Sequence, residues 1–131
     1  MKSIACAFIG LGNMRRELCA RIGGAGFTTL AYDVNPDASK FAEENFENVT
    51  SSDLFNAVKN SVIVVSCLPN SSIVRETVNK LLQLEDALNN VQFWIDTTSG
   101  HPGESQRIAS DLKIKDVVFF DCAVSGGPAG A

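Results

Sequence analysis

Six short apolar runs, separated by amphipathic stretches, constrain this chain more than any other feature. They cover residues 4–9, 27–33, 62–68, 91–96 and 117–121, with a weaker run at 47–50. Each has strand length, and the run at 62–68 is nearly continuous and β-branched, as a central strand covered on both faces requires. The segments between them carry helix signals. Met14, Leu18, Ile22 and Ala25 recur at helical spacing, and Gly23, Gly24 and Gly26 mark the end of that helix. Asn35-Pro36-Asp37 opens a helix that runs to about residue 45. Ser51, Ser52 and Asp53 offer caps for a short helix over 54–59. Pro69-Asn70-Ser71-Ser72 stops the fourth strand and caps a helix whose apolar face is Val74, Val78, Leu81 and Leu82. Pro102 starts the last helix, with Ile108, Ala109 and Leu112 facing inward. Strand–helix alternation of this kind predicts an α/β fold with a parallel sheet, strand order 3-2-1-4-5-6 and helices on both faces.

At 131 residues the chain suits a single domain spanning 1–131. With 45% hydrophobic and 20% charged residues, it has an ordinary globular composition, which argues against disorder. A net charge of −4 argues against nucleic acid as a partner. The apolar runs are too short to span a bilayer, so no membrane partner is expected. One His and no Cys-x-x-Cys argue against a structural zinc site, and no metal is expected. Cys6, Cys19, Cys67 and Cys122 do not resemble a disulfide framework, and Met1 leads directly into structure without a signal peptide. The expected compartment is the cytoplasm, with reduced thiols.

The first strand runs into Gly10-Leu11-Gly12-Asn13-Met14-Arg15, where the dinucleotide fingerprint of a Rossmann-type doubly wound sheet belongs. Its first glycine allows a tight turn, and its second lets backbone approach a pyrophosphate on the helix N-terminus. Asp33 ends the second strand 23 residues after Gly10, near the roughly 20 expected of a ribose-binding acid. Its carboxylate suits the ribose hydroxyls and repels a 2′-phosphate, favouring NAD over NADP. The third glycine position holds Arg15, and three readings of it stay open. The side chain swings outward and adds charge near the pyrophosphate, it weakens cofactor binding, or it is an error or an engineered change.

With its other loops in view the chain resembles the β-hydroxyacid dehydrogenase family, which includes 3-hydroxyisobutyrate dehydrogenase and is related to 6-phosphogluconate dehydrogenase. The matching pieces are Gly10-Leu11-Gly12-Asn13-Met14 with Tyr32-Asp33-Val34-Asn35-Pro36, then Cys67-Leu68-Pro69, then Asp96-Thr97-Thr98-Ser99 with Pro102. The resemblance implies that Leu68 and Pro69 lie against the cofactor and that Thr98 and Ser99 lie near the nicotinamide ribose. The most specific piece is residues 120–127, Phe-Asp-Cys-Ala-Val-Ser-Gly-Gly, similar to the family's substrate loop. Cys122-Ala123 replaces its usual Ala-Pro and makes the loop less rigid. Ser125 and the backbone N–H groups of Gly126 and Gly127 suit a substrate carboxylate.

The resemblance implies hydride transfer between a small 3-hydroxyacid and nicotinamide. It also implies a catalytic lysine in a second, helical domain beyond Ala131. Lys113 and Lys115 do not match that lysine, and His101 reads as a surface turn residue. No catalytic residue is therefore expected among the 131. Homo-oligomers in this family form through the helical domain, and an exposed apolar face near residue 131 is expected without it. The alternatives are a stand-alone NAD(H)-binding module without catalysis, or a domain for another nucleotide such as S-adenosylmethionine. The Leu-Pro and Ser-Gly-Gly loops argue against the last.

Overall fold

The computed structural model describes residues 4–12, 15–98 and 102–122, with the side chains of Arg15 and Pro102 excepted. The described elements are β1 (Ala5–Ile9), α1 (Arg15–Gly24), β2 (Thr28–Tyr32), α2 (Pro36–Asn45), β3 (Val49–Ser51) and α3 (Leu54–Lys59), followed by β4 (Ile63–Ser66), α4 (Ser71–Gln83), β5 (Phe93–Asp96), α5 (Pro102–Lys113) and β6 (Val118–Asp121). The strands form one sheet in the order β3-β2-β1-β4-β5-β6. Every neighbouring pair is parallel.

The two-sided apolar strands build two cores. In β1, Ala7 and Ile9 enter one core, while Cys6 and Phe8 enter the other. Around Trp94, residues of α3, α4 and α5 close the first face, including Val58, Val78 and Leu112. Cys19 of α1 and Ala42 of α2 close the second. Parallel crossovers have one preferred hand, so reversing the winding direction after β3 moves the later helices to the opposite face. The reversal lies between β1 and β4, where an open sheet forms a crevice at its carboxyl ends.

Side-chain caps set three helix starts. Asn35, Asp53 and Asn70 accept from the N–H groups of Asp37, Asn56 and Ile73.

Three local expectations need correction. The fourth strand is shorter than residues 62–68. Cys67 N–H donates to Ile9 O at 2.8 Å, but β1 ends at Ile9, and β4 itself ends at Ser66. Second, α1 turns Cys19 and Gly23 fully inward, with Leu18 and Ile22 only flanking them and Ala25 exposed. A Cβ on Gly23 would lie 2.1 Å from the Glu47 carbonyl oxygen, so close approach of α1 to the segment before β3 sets this orientation. Third, Leu82 and Ala109 are half-buried, at the margins of their helices' inward faces. An apolar face near β6 is exposed as expected: Phe93, Val118 and Phe120 are all more than a third accessible, and the rings of Phe93 and Phe120 lie 6.2 Å apart.

Candidate functional site

A cleft of about 430 Å³ opens at the carboxyl ends of β1, β2 and β4. Gly10, Leu11, Gly12, Asp33, Leu68 and Pro69 all line it. Gly10 has φ +99°, and a Cβ there would fall 2.1 Å from Cys67 O. The chain leaving β1 therefore passes directly over the end of β4, as only glycine permits.

Asp33 ties this turn to β2. Leu11 N–H donates to its Oδ2 at 2.7 Å, and Asn35 N–H donates to its Oδ1 at 2.9 Å. A carboxylate has about four lone-pair sites, so each oxygen keeps capacity for a further donor such as a hydroxyl. The sequence suggested a ligand-facing acid; the structure adds that the same acid anchors the glycine turn.

The far wall is formed by residues that no sequence motif marks. Ile73, Thr77 and Lys80 of α4 face the cleft, with Leu54 at the start of α3 beside them. Their spacing of i, i+4 and i+7 was the available signal, a second stripe beside the core stripe of Val74, Val78 and Leu81.

Behind the cleft a buried polar network joins β4 to β5. The indole N–H of Trp94 donates to Ser66 Oγ at 2.9 Å, and Ser66 Oγ donates to Asp96 Oδ1 at 2.8 Å. The same Oδ1 accepts from Thr98 N–H at 3.1 Å. Thr98 Oγ1 accepts from Leu68 N–H at 2.8 Å. Thr97 Oγ1 donates to Ser66 O and lies in contact with Cys67 Sγ. Thr98, expected at the cofactor, is thus buried, with its hydroxyl engaged inward. Asn13, Met14, Ser99, His101, Ser125, Gly126 and Gly127 lie outside the described residues. Lys113 and Lys115 are exposed at the end of α5.

Burial raises the Asp96 carboxyl above its ordinary value. Hydrogen bonds from Thr98 and Ser66 offset part of this effect, and the charge of Asp121 adds to it. Because the folded group titrates above its unfolded value, its stability contribution is largest at low pH and is lost as it ionises. Asp96→Asn is therefore expected to shift the urea midpoint upward at pH 7. The gap to the parent should close as the pH falls through the range just above 3.8. An Asn variant less stable than the parent at pH 7, or a gap that widens on acidification, would contradict this. Burial also pushes the Cys6 and Cys19 thiols up to about 12, so they pack as small apolar groups rather than nucleophiles.

A model of one protein family, the NAD binding domain of 6-phosphogluconate dehydrogenase, matches residues 5–131. The chain belongs to this family. Among its curated relatives, human mitochondrial 3-hydroxyisobutyrate dehydrogenase is 32% identical over 124 residues, covering 95% of this chain and 37% of the relative. The 3-sulfolactaldehyde reductase of Escherichia coli is 24% identical over 127 residues, covering 97% of this chain and 42% of the relative. The solved Mycobacterium tuberculosis 3-hydroxyisobutyrate dehydrogenase with L-serine superimposes with a TM-score of 0.86 at 27% identity, covering 99% of this chain and 43% of that one. The chain thus spans about two fifths of the length of the relatives it matches. Among the described residues no helix is long and apolar enough to cross a membrane.

Proposed function

We propose that residues 1–131 form a single dinucleotide-binding domain that holds NAD, in preference to NADP, in the Gly10–Asp33 cleft. The observation that carries this reading is the joint placement of Gly10 and Asp33. Gly10 brings backbone over the end of β4 without a side chain in the way. Asp33 presents a carboxylate at the same turn.

The proposed cofactor residues are Gly10, Leu11, Gly12, Asn13, Met14, Asp33, Leu68, Pro69 and Ser99, with Thr98 behind Leu68 as its support. Gly12, Asn13 and Met14 suit the pyrophosphate at the start of α1. Asp33 suits the adenosine ribose hydroxyls and disfavours a 2′-phosphate. Lys80, on the opposite wall, is the one Lys or Arg among the described lining residues. When bound, a nicotinamide cofactor supplies the hydride donor or acceptor. Ser125, Gly126 and Gly127 are proposed to receive the carboxylate of a small 3-hydroxyacid. Hydroxyacid oxidation and homo-oligomer formation are assigned to a protein of the relatives' length. The four free thiols support a reducing compartment, and we assign the cytoplasm.

Asp33→Ala tests the cofactor preference. It removes a charge-assisted acceptor for ribose, so NADH affinity should fall by roughly 10–100-fold. NADPH affinity should fall less, because the repulsion disappears too, and the preference narrows. Equal affinities for NADH and NADPH in the unsubstituted chain would overturn the NAD assignment.

A further inference from the structure

We propose that Thr98 acts on the cofactor cleft from beneath, as a positioning residue whose hydroxyl fixes the backbone of Leu68 while Asp96 holds the backbone of Thr98. The inference deepens the cofactor reading and rests on it. Leu68 lines the cleft, yet it lies past the end of β4, beyond the ladder bonds that hold Ser66 and Cys67. Its N–H instead donates to Thr98 Oγ1 at 2.8 Å. Thr98 is only 1% exposed, so its hydroxyl is screened from competing water. Asp96, itself 4% exposed, accepts from the backbone N–H of Thr98 at 3.1 Å and so fixes the point from which that side chain reaches Leu68. Ser66 holds the carboxylate from the other side and is in turn held by the indole N–H of Trp94. The wall of the cleft is thereby tied to the middle of the sheet.

Trp94 is the only tryptophan, so its indole N–H resonance reports on this network without labelling. Thr98→Val deletes the hydroxyl at nearly constant volume, Thr98→Ala deletes it with less crowding, and Thr98→Ser restores it. Each is measured below its own unfolding transition, so that every sample is folded. In the Val and Ala variants the Leu68 amide should exchange at least about tenfold faster, the Trp94 indole resonance should move, and the Kd for NADH should rise about 3–10-fold. Thr98→Ser should return all three readouts to within about twofold of the parent. A purely structural role would lower stability while leaving the folded protein's Kd at the parent value, and that result would overturn the proposal. So would unchanged Leu68 exchange in both variants. Failure of the unsubstituted chain to bind NADH would overturn the cofactor reading instead, and the Leu68 exchange rates would then decide the clamp alone.

Discussion

Gly10→Ala is expected to cost about 3–5 kcal/mol of folding stability and to abolish measurable NADH binding. The position has φ +99°, where an L side chain is strained. The added methyl would also sit 2.1 Å from Cys67 O and 2.9 Å from Cys67 C. Both atoms are backbone, so no side-chain rotation relieves the clash. Either the turn lifts or the end of β4 moves, which strains the bond from Cys67 N–H to Ile9 O. Leu68 follows Cys67, so the cofactor wall moves with it. Urea denaturation and NADH titration check both parts of this expectation. A loss under about 1 kcal/mol with binding intact would mean that the close approach of Gly10 to Cys67 is not a constraint.

The second large effect concerns turnover. The 131 residues, purified by themselves, are expected to bind NADH yet oxidise small 3-hydroxyacids at least about 10²–10⁴-fold more slowly than a protein of the relatives' length, the range general acid–base help supplies. The family resemblance places the catalytic lysine beyond Ala131. Among the described lining residues the ionisable groups are Tyr32, Asp33, Cys67, Glu76 and Lys80. The walls that orient a substrate contribute further through positioning. NAD reduction with a panel of 3-hydroxyacids gives the test. Robust turnover by this chain would show that a residue within 1–131 moves the proton.

Much of this was legible in the sequence because parallel strands are buried on both faces and read as nearly unbroken apolar runs. Asn35, Asp53 and Asn70 also fixed helix starts through local bonds that need no tertiary context. Strand ends were less legible. Cys67 and Leu68 look like strand residues, but β1 ends at Ile9 and the chain turns at Gly10, so β4 stops at Ser66. The inward face of α1 was misplaced because its orientation follows from the contact between Gly23 and the Glu47 carbonyl, 24 positions away in the chain. At the site, Gly10, Gly12 and Asp33 stood out because the backbone geometry and charge they supply are local properties. Thr98 was assigned to the cofactor by its place in a motif, and nothing in one sequence tells which way a threonine hydroxyl turns. Ile73, Thr77 and Lys80 were overlooked because a mixed apolar and polar stripe resembles the margin of an ordinary amphipathic helix.

The most direct test of the account is a calorimetric titration of the unsubstituted 131-residue chain with NADH. Saturable binding at one site per chain is expected, with NADPH binding more weakly under the same ionic strength. No saturation up to millimolar NADH from a sample shown to be folded would contradict it.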